Sequence, residues 1–135
     1  MADAVTSQTI EDGPRNCVMK FTNISDGTGE SDVAKVDVSA LSSDPMTGSA
    51  CSSVTITSIT FSTIGMGVKI TLDADTDQYF MNLPADWTDT LDFTSFAGIP
   101  NNAGTGKTGD VLFTTTGHSS GDTYFVVMTM VKNYG

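Results

Sequence analysis

The chain is poor in basic residues. One arginine and five lysines face sixteen acids among 135 residues. There is one histidine, one tryptophan, two cysteines and four prolines. So few cations cannot neutralise a phosphate backbone, so nucleic acid is not an expected partner. No apolar run reaches the roughly 18 residues a membrane helix needs, so no membrane partner is expected. Two cysteines are too few for a disulfide scaffold. Cys17 falls inside an apolar alternation, where a free thiol packs as a small hydrophobe. Whether Cys17 and Cys51 are reduced or bridged stays open at this level. One histidine and two distant cysteines make no zinc set. Residues 1–7 lack the basic region and apolar core of a secretory signal, and the expectation is a protein made in the cytoplasm.

What is present points to β-structure. Fourteen of the sixteen acids are Asp, and the formal charge is −10. Asp favours turns and caps, whereas Glu favours helices. Threonine, serine and glycine are abundant, and threonine suits strands. An acidic exterior keeps a protein soluble and can steer it to a basic partner, with a solvated surface as the default. The length suits one domain spanning residues 1–135.

The most apolar stretch is 122–132. Side chains alternate faces along a strand, so Tyr124, Val126, Met128 and Met130 share one face. Phe125, Val127 and Val131 share the other. Such a strand belongs inside a sheet. If one face is left exposed, that face is expected to be an interface. Upstream runs are shorter. Residues 1–12 read as a flexible arm or an edge strand, with Val5 to Ile10 as its strand portion. Residues 15–24 alternate through Cys17, Met19 and Phe21, and end at the turn signal Asp26-Gly27. Ala34, Val36 and Val38 follow on one face, with Lys35 and Asp37 on the other, so a hairpin is predicted. Residues 54–61 change phase near Thr57-Ser58, which predicts a bulge. After Gly65-Met66-Gly67, the alternation of Val68, Ile70 and Leu72 predicts a second hairpin. Residues 78–83 and 87–93 add two strands. A long loop, 94–110, precedes a last predicted hairpin of 111–116 with the final strand. The sum is an all-β chain of about eight antiparallel strands, a jelly-roll-like β-sandwich.

No motif completes a chemistry. Gly106-Lys107-Thr108 resembles the end of a phosphate loop, but the required earlier glycine position, 101, holds Asn, and a strand follows where a helix is needed. Asp73, Asp75 and Asp77 have calcium-loop spacing, but Gln78 and Pro84 occupy the positions that demand Gly and Glu. A solvated acidic turn is the default, and a cation bound between strands stays open. His118 sits among Ser119, Ser120 and Asp122 on one turn, where triad members rarely converge. Trp87, Tyr79, Phe80 and Tyr124 suit a sugar-binding face or a core. Met66, Met81, Met128 and Met130 suit adaptable packing, at a subunit interface or in the core. No catalytic residue, metal ligand or cofactor is expected.

Residues 18–30, 101–110 and 120–124, with the ending Met130-Val131-Lys132-Asn133-Tyr134-Gly135, resemble a group of small structural proteins of tailed bacteriophages, many from marine and cyanobacterial hosts. The resemblance runs through nearly the whole chain. It implies a non-enzymatic virion protein, a capsid decoration or cement protein on the head surface. Its partner would be the major capsid protein, and it would assemble as a homo-oligomer, preferably a trimer. A neck or tail component is the competing position. A carbohydrate-binding module for host adsorption, using Trp87, is the reading from another class. A cement role implies contact through the arm and loops. The expected interface residues are Val5, Ile10, Pro45, Met46, Phe96, Ile99, Asn101, Asn102 and Lys107, with Met128 and Met130 from the final strand.

Overall fold

The computed structural model describes residues 4–96, 98–100, 105–106 and 108–134, without the side chains of Ala4 and Phe96. Nine strands are present among them: β1 (Ala4–Asp12), β2 (Asn16–Ile24), β3 (Val33–Val36), β4 (Cys51–Ile64), β5 (Gly67–Leu72), β6 (Gln78–Leu83), β7 (Thr88–Asp92), β8 (Val111–Thr116) and β9 (Thr123–Tyr134). They form two antiparallel sheets, ordered β1-β2-β9-β4-β7 and β3-β8-β5-β6. The expectation of an all-β, antiparallel chain holds.

One apolar core joins the two sheets. Phe21 on β2 meets Phe113 on β8 edge-on at 5.3 Å, and Phe113 meets Tyr124 on β9 at 5.9 Å. Such tilted aromatic contacts add to the burial term. Tyr124, Val126, Met128 and Met130 all face this core. Met66 plugs the corner between β4 and β5 and is fully buried. The core reading therefore holds for Met66, Met128 and Met130.

The three predicted hairpins are instead arches between the sheets. β2 pairs with β1 and β9, and β3 pairs with β8. β4 and β5 lie in different sheets, as do β8 and β9. The turn signals are real, but both strands of each pair carry an apolar face. Crossing to the opposite sheet lets each face the shared core. The β4–β5 corner has only Gly65 and Met66 to turn in. Gly65 has φ +81°, and a Cβ there would lie 2.2 Å from an Asp122 carboxylate oxygen. Glycine is the residue that tolerates both conditions.

The bulge expected at Thr57-Ser58 is present, with the β4–β9 register shifting between Ile56 and Ser58. A second bulge lies in β3, between Ala34 and Val36. It turns Lys35 inward, and the residue is 7% exposed, not on the outer face as its alternation suggested. Bulges re-aim side chains in this way.

Candidate interaction surface

The residues expected at an interface fall in several places. Val5 and Ile10 are exposed on β1, which is an edge strand of the five-stranded sheet. Pro45 and Met46 are exposed on a loop, and Met46 is 89% exposed. That loop turns on Asp44, whose carboxylate accepts from the Met46 amide at 3.0 Å and the Thr47 hydroxyl at 2.9 Å. Ile99 is partly buried and exchanges two backbone hydrogen bonds with Ile56, of 3.0 and 2.8 Å. Asn101, Asn102, Lys107 and the Phe96 side chain lie outside the described residues. Met128 and Met130 are fully buried, so they are not available to a partner. Their alternation with Val127 and Thr129 is what turns them into the core.

The opposite face of β9 is the exposed one. Phe125 is 37% exposed, and Val127 and Val131 are partly exposed. Directly paired residues share a face, so the neighbours of these positions define a surface. Thr123 lies between Ile24 and Ile64, which are 59% and 61% exposed. Phe125 lies between Thr22 and Ser62, and Val127 between Lys20 and Thr60. β7 extends the rows with Thr88 and Thr90. Thr88 donates to the Ser62 hydroxyl at 3.0 Å, and the Thr60 and Thr90 hydroxyls are 3.2 Å apart. On this face β2, β9, β4 and β7 present two charges, Lys20 and Asp92, in a chain of net charge −10. The apolar cluster of Ile24, Ile64 and, one row on, Phe125 needs strand registry across the sheet, which sequence spacing does not supply.

Two ion pairs brace this sheet from inside and at one end. Lys35 Nζ lies 2.5 Å from Glu30 Oε2, with both side chains nearly fully buried. Glu30 Oε1 also accepts from Tyr124 Oη at 2.5 Å and Asn23 Nδ2 at 2.9 Å. The segment carrying Glu30 is anchored by Ser25, whose amide donates to the Asp122 carbonyl at 2.7 Å. His118 packs over Gly29, with its Nδ1 3.1 Å from the Thr115 hydroxyl. The His118 ring is thus packed between the Gly29 turn and Thr115.

At the other pair, Lys132 Nζ donates to Asp12 Oδ1 at 2.5 Å, the Gly13 carbonyl at 2.9 Å and the Ser42 hydroxyl at 2.8 Å. Burial works to lower the Lys132 pKa, but the bonds and charge of Asp12 and Tyr134 outweigh it and raise the value above 10.5. Burial works to raise that of Asp12, but Lys132 and Ser42 hold it below 3.8. The Tyr134 hydroxyl donates to the Pro14 carbonyl. These contacts lock the β1–β2 turn.

Cys17 and Cys51 are buried free thiols. They sit on β2 and β4 with β9 between them. Strands two places apart are roughly 9.5 Å apart, beyond the reach of about 7 Å for a disulfide. Burial first, then the Asp12 charge, pushes the Cys17 thiol up to about 11.

The acidic turn is tied to the glycine loop. Asp73 Oδ2 accepts from the Thr108 hydroxyl at 2.8 Å, and the Asp77 carboxylate accepts from the Ala74 amide at 3.2 Å. A Cβ on Gly106 would lie 2.1 Å from the Asp75 carboxylate. Among the described residues no three acidic, His or Cys side chains converge as metal ligands. Trp87 and Tyr79 are 55% and 58% exposed, whereas Tyr124 is core. Trp87 Nε1 reaches Asp89 Oδ2 at 3.5 Å.

Comparison with known proteins finds no family model, no curated protein and no solved structure that matches the chain.

Proposed function

We propose that this chain is a non-enzymatic structural protein of a tailed-phage virion, a decoration or cement protein of the head built on a jelly-roll β-sandwich. The strand order supports the architectural part. A jelly roll wraps one long hairpin, so that the first strand pairs with the last and the second with the seventh. Counted from β2, that predicts sheets ordered first-eighth-third-sixth and second-seventh-fourth-fifth. The observed orders, β2-β9-β4-β7 and β3-β8-β5-β6, follow this scheme, with β1 added at one edge.

The observation that carries the functional part is the weakly charged outer face around Phe125. With β1, whose Glu11 pairs with Val18 and adds a third charge to this face, the five strands of about nine residues span roughly 20 Å by 30 Å. That is roughly 600 Å², near the ~800 Å² each partner contributes to a standard interface. Ile24, Phe125 and Ile64 cluster at one end of this low-charge face, and exposed aromatic and aliphatic residues grouped in this way are what a protein partner covers. A rigid sheet presents them with little ordering cost. The sequence resemblance supplies the partner, the major capsid protein.

Electron microscopy of purified particles tests this. The expected result is density for the chain across the head surface, with a copy number matching the capsomers and the Phe125 face against the capsid. The variant Phe125→Asp is expected to fold normally and fail to incorporate. A single ring of copies at the neck or tail sinks the decoration reading. Incorporation of the Phe125→Asp chain at the wild-type level removes the role of this face. Exposed Trp87 beside Asp89 favours a second reading, sugar binding in adsorption. Glycan binding that persists in Trp87→Ala would remove it.

A further inference from the structure

The two sheets have four edges, and three are guarded against pairing with another chain. β7 carries Asp89 and Asp92, with Asp86 just before it. β3 has four residues between Asp32 and Asp37. β6 has six residues between Asp77 and Pro84. Short length, charge and proline are the usual protections of an edge. β1 has none of these over most of its length. It is nine residues long, and residues 4–10 carry no charge in a chain of net charge −10.

β1 is also held ready. Its outer edge has no strand beside it among the described residues. Every second residue along it therefore directs its backbone donor and acceptor outward. None of its described side chains is fully buried, so nothing in the core depends on their identity. The turn behind it is locked by Lys132 on Asp12 and Gly13, and by Tyr134 on Pro14. The strand is thus fixed to its own sheet rather than free to exchange, and its edge is presented in a pre-formed geometry.

We propose that this edge pairs with the same strand of a second copy, antiparallel across a two-fold axis, making one continuous ten-stranded sheet. Charge decides the register. Two chains this acidic repel, and like charges directly opposite destabilise a strand pair. An antiparallel pair centred on Ser7 sets Val5 opposite Thr9 and Thr6 opposite Gln8. It keeps residues 4–10 of each copy facing only uncharged residues of the other. At the bulge between Thr9 and Glu11 the strand bends, and beyond it Glu11 and Asp12 stay paired with Val18 and Cys17 of their own sheet. The interface is isologous, so it closes at two copies. This inference stands apart from the virion reading, since it concerns the chain alone in solution.

Because Ser7 lies on the axis, one substitution acts twice. The full chain is measured by sedimentation and native mass spectrometry over a range of concentrations. The expected result is a dimer. Ser7→Lys sets two ammonium groups face to face and is expected to raise the dissociation constant about tenfold or more. Thr90→Lys on the opposite edge is expected to leave the dimer intact. Ser7→Cys is expected to form a disulfide-linked dimer on mild oxidation, since opposed strand positions lie within bridging distance. Thermal unfolding of Ser7→Lys equal to that of the wild type diluted below its dissociation constant excludes misfolding as the cause. A monomer at every concentration, a trimer, a dimer indifferent to Ser7→Lys, or a Ser7→Cys chain that does not cross-link would each overturn the proposal. A monomer that binds an extended segment of another protein at β1 would overturn it in favour of that partner.

Discussion

Replacing Lys35 by methionine removes one half of the buried pair with Glu30 while keeping most of the side chain's volume. The two side chains are 3% and 6% exposed, so solvent screening is slight. The variant leaves the Glu30 carboxylate with two neutral donors, Tyr124 and Asn23. Breaking a buried pair on one side costs about 3–5 kcal/mol, because the remaining charge stays desolvated. Unfolding entropy near 2.1 cal/mol/K per residue gives about 0.3 kcal/mol/K for a chain of this length, so Tm falls by about 10–17 °C. The double variant Lys35→Met with Glu30→Gln removes the stranded charge and keeps an acceptor for Tyr124 and Asn23. It is expected to recover more than half of the loss. Urea unfolding of the wild type, both single variants and the double variant completes the cycle. A Lys35→Met chain that loses under about 1 kcal/mol, or a double variant no better than Lys35→Met, would refute the reasoning that a desolvated charge dominates.

Three further outcomes are expected. Asp12 has a depressed pKa, so its contribution is present above its ordinary 3.8 and is lost as pH falls through the folded value. Acid unfolding followed in Asp12→Asn should lack that component. Cys17 has a raised pKa, so its contribution is present below the ordinary 9.0 and is lost as pH rises towards about 11. Native Cys17 should therefore react with a thiol reagent only as fast as the chain opens, and a fast reaction in the folded state contradicts its burial. Gly109→Ala places a Cβ 2.0 Å from the Ser52 carbonyl at φ +88°, whereas Gly48→Ala, at φ +76°, meets open space. Thermal unfolding should show Gly48→Ala costing about 1 kcal/mol from backbone strain alone, with Gly109→Ala clearly worse.

Alternation reads directly from sequence because it is local. Cys17, Met19 and Phe21 face the core as their spacing implies, and the phase change at Thr57-Ser58 marks the bulge that is there. Pairing is not local. Asp26-Gly27 signals a turn equally well whether the chain returns beside itself or crosses to the other sheet. The choice depends on β9, about a hundred residues further on, which takes the place beside β2 that a hairpin would give to β3. Lys35 misleads for a related reason. A charged residue in an alternating strand reads as solvent-facing unless its partner is known, and its partner, Glu30, sits in the preceding loop. The exposed cluster of Ile24, Phe125 and Ile64 assembles from three strands, and no spacing within one strand reveals it. The apolar outer face of β9 was legible. What surrounds it was not.

The place of β9 between β2 and β4 has a consequence for synthesis. The strand that completes the five-stranded sheet is the last of the nine to leave the ribosome. Until it does, β2 and β4 flank a gap the width of one strand, and the core lacks Tyr124, Val126, Met128 and Met130. Asn16 cannot meet Val131 before more than a hundred further residues have been made. Contacts so distant in sequence make folding slow and leave apolar strand edges open while it waits. A nascent chain stalled short of residue 123 is therefore expected to be a sticky intermediate rather than a smaller folded domain.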